Sequence, residues 1–279
     1  MSATSDPYDP MWEFRMLYDD VLSYEGTALY ADFLLRWLEK NGPAREWLLE
    51  FAQRPGSPIP PALEWELYAL YAVNRVNDLL LGAFQPATVT KWPDLSLNMD
   101  QYVAFMTALG FVVVETAAFS PFYHEVVEIT PHEEDEAPVE LTGIVWPCLM
   151  LGNMLFSRAG ARVRAGRRFL RPELAASTTL YWTFCRRYRE GQDLSHGWGS
   201  NSRWRTDFRR DYRFGPHLHL NVDAKHDVTQ GDIPGRSPCE LTLEERIELV
   251  THRCFVTFPT AQDEQFPYLY TMRLTEELR

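Results

Sequence analysis

The 279-residue chain is 46% apolar and 24% charged, the balance of a chain that buries a core, which excludes a disordered protein. Its net charge of −12 is unevenly spread: residues 158–213 carry 14 Arg against 5 acids, whereas residues 1–157 carry 23 acids against 7 bases. The acidic balance, a pI of about 5.1 and only 3 Lys argue against nucleic acid as a partner, although Arg interleaved with aromatics suits phosphate contact and base stacking.

In chain order, the first third reads as helical. Phe14, Leu17, Tyr18, Val21 and Leu22 keep the i, i+3, i+4, i+7, i+8 spacing of one helix face. Tyr30, Phe33, Leu34, Trp37 and Leu38 repeat it, and Gly42-Pro43 is expected to end that second helix. A shorter segment carries Trp47, Leu48 and Phe51, and RPGSPIPP (54–61) reads as a turn-rich linker. The next helix is expected over 62–81, with Leu63, Leu67, Leu70, Tyr71 and Asn74 on its inner face. Asn98 and Gln101 have the spacing of a capping box, with Gly110 closing the helix they open.

Beyond Gly110 the texture becomes β-like. FVVVET (111–116), FYHEVVEI (122–129), TTLYWTFCRRYR (178–189), WRTDFRRDYRF (204–214) and HLHLNV (217–222) are β-branched or alternate as strands do. HEEDEAP (132–138) is an acidic, solvated loop. Thr242 and Glu245 form a second capping box, starting a helix with Leu243, Ile247, Val250 and Cys254 inward, and CFVTF and YLYTMR supply closing strands. Helices before strands predict an α+β fold. A helical layer (about 10–110) packs on a mostly antiparallel C-terminal sheet or partial barrel (about 111–279), all in a single domain.

The opening MSATSDPYDP lacks the basic and apolar parts of a signal peptide. The longest apolar run, GIVWPCLMLGNMLF (143–156), is too short to span a bilayer and contains Pro147, so no membrane partner is expected. Cys148, Cys185, Cys239 and Cys254 form no C-x-x-C pair, which suits reduced thiols. A soluble, cytoplasmic protein follows. The excess of Arg, 24 against 3 Lys, is what a GC-rich, bacterial genome would produce without any functional cause.

HGWGSNSRWRTDFRRDY (196–212) holds the strongest functional signal. Read as a strand, 203–212 puts Trp204, Thr206, Phe208, Arg210 and Tyr212 on one face. Arg203, Arg205, Asp207, Arg209 and Asp211 share the other, where opposite charges can pair on an outer surface. Arg210, flanked by aromatics, needs a partner: a protein carboxylate or an anionic substrate group. Ahead of it, Gly197 and Gly199 let backbone N–H groups converge on an anion, with Trp198, Ser200, Asn201, Ser202, Arg203, Arg205 and Tyr212 as ligand-binding candidates. His196 is the candidate general acid or base beside Arg210.

His217 and His219 stand on one strand face about 7 Å apart, close enough to converge on one metal. With His124 and Glu128 they would make a nitrogen and oxygen site for zinc or ferrous iron. No G-x-S-x-G elbow is present, and no Cys lies beside a His except Cys254, two residues after His252 at a helix C-terminus. The negative dipole end there raises a thiol pKa, so Cys254 reads as structural. The favoured function is a small-molecule-metabolism enzyme, of unassigned reaction class, that binds an anionic carboxylate or phosphate substrate through residues 196–212. Two alternatives stand: a metal-dependent enzyme using the HxH strand, and a non-catalytic acidic binding protein of the antitoxin or immunity type.

Overall fold

The computed structural model describes residues 10–54, 56, 58–84, 95–175, 208–231, 233, 241–258 and 269–276. The expected strand 178–189 and the 196–207 part of the glycine- and arginine-rich stretch lie outside them.

Helix α1 (Met11–Leu22) buries the expected stripe of Phe14, Leu17, Tyr18 and Val21. A π-helical turn, Tyr30–Leu34, runs directly into α2 (Leu35–Lys40), which buries Trp37 and Leu38. Gly42-Pro43 opens α3 (Gly42–Ala52) instead of ending α2. A proline in the first helical turn forfeits no hydrogen bond, because the first N–H groups of a helix have no partner within it.

Helix α4 (Glu64–Leu81) starts at Glu64 rather than 62, and its burial runs all round, Glu66, Arg75, Asn77 and Asp78 included. Leu63, expected inside, is 58% exposed. The helix packs along α1, and Asn77 bridges Tyr102 and Ser157, accepting from one at 2.7 Å and donating to the other at 3.1 Å. Helical periodicity reports one buried face, and a helix covered from several sides has more than one. The Asn98–Gln101 capping box opens α5 (Met99–Ala108), and Gly110 takes the left-handed φ of +98° beyond its end.

The strands are β1 (Val112–Val114), β2 (His124–Pro131), β3 (Glu140–Trp146), β4 (Cys148–Leu151), β5 (Met154–Ser157) and β6 (Ala159–Ala165). After the short α6 (Pro172–Ala175) come β7 (Asp211–Phe214), β8 (His217–Leu220), β9 (His226–Asp227), helix α7 (Leu243–His252) and β10 (Tyr270–Thr275). They form a seven-stranded sheet, β1-β4-β5-β7-β8-β10-β9, and a three-stranded sheet, β2-β6-β3. Among the described strands, only β9–β10 and β2–β6 pair in parallel. The fold is α+β, with a helical N-terminal part and mostly antiparallel strands after it; the described strands make two sheets and no barrel.

Helices and sheet share one core, in which Phe111 packs on Phe156 at 4.3 Å and α3 to α5 cover β4 and β5. The apolar run 143–156 supplies the end of β3 and the β4–β5 hairpin, turned at Gly152 with φ +58°. CFVTF (254–258) is not a strand. Glu248 holds its backbone as a loop by accepting from the N–H groups of Val256, Thr257 and Phe258. Helix α7 has the expected Thr242–Glu245 box but presents Arg246, Glu248, Leu249 and Val250 inward, leaving Leu243 and Ile247 each 37% exposed. No helix among the described residues is long and apolar enough to cross a membrane.

Candidate functional site

The described end of the 196–212 stretch is strand only from Asp211, so Phe208, Arg209 and Arg210 approach the sheet as irregular chain. All three are buried. Arg210 belongs to the protein, not to an open pocket. Its Nε and Nη2 donate to the two oxygens of Asp223 at 2.7 and 2.6 Å, and Nη1 donates to the Pro60 carbonyl at 3.2 Å and the Tyr212 hydroxyl at 3.0 Å. Its charge is secured: burial, the largest influence, would favour its loss, but the hydrogen bonds and charges of Asp223 and Tyr212 together outweigh it. Arg210, the expected substrate ligand, is thus a clamp joining the 54–61 linker, β7 and the turn after β8. Tyr212, the other described ligand candidate, spends its hydroxyl on that clamp and stacks on Phe214 at 5.9 Å.

The opposite side of the chain holds the denser charge. Asp211, wholly buried, accepts from Arg209 Nε at 2.7 Å, Arg253 Nη2 at 3.0 Å and the Asn221 N–H at 2.6 Å. Arg158 lies 3.9 Å away and caps the C-terminus of α7, donating to the carbonyls of Thr251 at 2.8 Å and His252 at 3.1 Å. That position suits a cation, since unbonded carbonyls carry the negative end of the helix dipole. Arg158 is also the residue at which the chain leaves the seven-stranded sheet for the three-stranded one. Arg209 and Asp211 were expected on a solvated or salt-bridged outer face; they are salt-bridged but buried.

Three guanidiniums therefore surround one carboxylate, with Glu125 of β2 contributing a second negative charge near Arg158. Desolvation first, then Arg253 and Arg209, pull Arg158 down to about 9. Burial would raise the Asp211 carboxyl, yet Arg209, Arg253 and Arg158 hold it below the ordinary carboxylate range. The Nε groups of Arg158 and Arg253 are buried with no acceptor among the described residues. Arg253 is the most exposed of the three at 18% and sits in the left-handed region, φ +63°. Such a conformation is unusual for a non-glycine residue, and here it aims the side chain at Asp211.

The metal expectation does not survive assembly. Regular alternation would put His124 and Glu128 on one face of β2, but β2 bulges between Val126 and Glu128, so that Glu128 pairs with exposed Arg162 while His124 aligns with buried Ala159. A bulge adds one residue and reverses which face the following side chains take. Glu128 instead accepts from Arg162 at 3.0 Å. His124 keeps to its own loop: its Nδ1 accepts from the Ser120 N–H at 3.0 Å, and its ring stacks on Phe119 at 5.6 Å. His217 and His219 do share the outer face of β8, in the other sheet, where His217 meets Thr275 and His219 meets Phe214. Among the described residues no group of three or more metal-binding side chains forms.

His196, Trp198, Ser200, Asn201, Ser202, Arg203 and Arg205 lie outside the described residues. The sequence reading missed Arg158 and Arg253. Each is a lone cation set against an apolar run, MLFSRAGA and HRCFVTF, and that pattern was the available signal. Cys254 is buried as expected of a structural thiol, and burial pushes it up to about 12. No known protein family, curated protein or solved structure matches the chain.

Proposed function

We propose that the protein is an enzyme of small-molecule metabolism that holds an anionic group of its substrate, a carboxylate or phosphate, against Arg158, Arg209 and Arg253. One observation carries this reading: two neighbouring guanidiniums present buried Nε–H donors that have no acceptor among the described residues, in a cluster where the described side chains bring more positive than negative charge. Buried donors left open in a native fold call for an explanation, and a bound anion is one that also relieves the charge excess. Arg253, the most exposed of the three, forms the entrance. His196 acts as the general acid or base, close in sequence to Arg209, and Arg210 serves as the clamp that sets β7.

The test is thermal stabilisation and calorimetry with inorganic phosphate and sulfate on the wild type and on Arg253→Met. A ligand held here stabilises the native state in proportion to the logarithm of its concentration, and loss of Arg253 should abolish the response. If no anion stabilises the wild type, or if Arg253→Met responds like it, the reading fails. Once a turned-over substrate is known, His196→Asn should keep binding and lose turnover.

A further inference from the structure

One buried arginine lies apart from that cluster and has no carboxylate partner among the described residues. Arg246, on the inner face of α7, is 8% exposed, and its guanidinium lies over the ring of Tyr270 in β10 at 5.5 Å. Its Nε donates to the Thr242 carbonyl at 3.3 Å, while Nη1 is buried with no acceptor among the described residues. No acidic side chain among the described residues pairs with it, in contrast to Arg158, Arg209, Arg210 and Arg253. An aromatic face offsets only part of what a guanidinium loses on leaving water.

The surroundings are apolar. Tyr270 belongs to a cluster with Val228, Ile233, Val250 and Met272. Backbone at Gly231 bounds the space beside Nη1, since a Cβ built there would lie 4.0 Å from that nitrogen.

We propose that Arg246 and Tyr270 form a binding site for a small carboxylate with an apolar body, between α7, β10 and the segment before Gly231. The open edge of the guanidinium takes the carboxylate, the Tyr270 ring fixes the plane of the fork, and the apolar cluster receives the body of the ligand. One guanidinium balances one negative charge, which favours a carboxylate over a phosphate dianion, and its planar geometry matches two coplanar oxygens. The site shares no residue with the Asp211 cluster and does not depend on the function proposed there.

The experiment is calorimetric titration of the full chain with benzoate, its neutral counterpart benzamide, acetate and inorganic phosphate, on the wild type, Arg246→Lys, Arg246→Met and Arg253→Met. Benzoate should bind the wild type, more tightly than acetate, and benzamide should not. Arg246→Lys keeps the charge without the fork and should weaken benzoate by about tenfold or more. Arg246→Met should abolish binding in a folded protein, because no ion pair is broken; should it not fold, the lysine variant decides. Arg253→Met should bind benzoate as the wild type does. The proposal is overturned if the wild type ignores benzoate at tens of millimolar, if benzamide binds equally, if Arg246→Lys binds as the wild type, or if phosphate binds there in preference.

Discussion

Arg210 and Asp223 stand 13 residues apart in the chain and meet through two parallel hydrogen bonds of 2.7 and 2.6 Å, but they are unequally buried. Arg210 is 2% exposed and Asp223 is 33% exposed at its side chain. Removing either partner should therefore have different consequences. Asp223→Ala strands a cation away from water and should destabilise by about 3–5 kcal/mol. Arg210→Ala leaves a carboxylate that water can reach, so its cost should be smaller, about 1–3 kcal/mol from lost hydrogen bonds and packing. Urea unfolding of both variants checks the order; equal or reversed values would contradict the assignment of Arg210 as an internal clamp.

Asp211 anchors the three-arginine cluster, so Asp211→Asn should be among the most damaging single changes, at about 3–5 kcal/mol. The wild-type carboxyl titrates below its unfolded value, so the folded state holds its proton less tightly. Its contribution is complete above about pH 4 and is lost as the pH falls through the folded value. Stability measured along an acid series should fall less steeply below about pH 4 in Asp211→Asn than in the wild type.

His252 predicts a loss at milder pH. Burial, with Arg158 adding to it, pushes its imidazole down to about 3, so the unfolded chain takes up a proton that the folded chain refuses. Stability should decline as the pH drops from about 6.5 toward the folded value, by at most about 1.4 kcal/mol per pH unit from this group. His252→Gln keeps the carbonyl that Arg158 uses and should flatten that part of the profile. An unchanged slope in the variant would show that another group sets it.

Gly152 turns the β4–β5 hairpin with φ +58°, and any Cβ there would press into the carbonyl oxygen of Ala52 at the end of α3. Gly152→Ala should therefore cost about 2 kcal/mol or more, combining left-handed backbone strain with a clash that backbone must relieve. Chemical denaturation reads it directly. A cost below about 1 kcal/mol would mean that α3 and the hairpin can part without penalty.

Sequence alone determined the features whose causes are local. The α1 stripe, the Asn98 and Thr242 capping boxes, Gly110 at its helix end and the shared face of His217 and His219 all follow from backbone period or from hydrogen bonds spanning three residues. The α+β order was legible for the same reason. Tertiary structure decided what depends on partners distant in the chain. Asp223 claims Arg210, and Arg158 and Arg253 converge on Asp211 from 53 and 42 residues away, separations that no periodicity encodes. The bulge that parts His124 from Glu128 exists only in the ladder with β6. A strand's alternation names two faces, but the neighbouring strand determines where that alternation slips and which charged groups end up buried together.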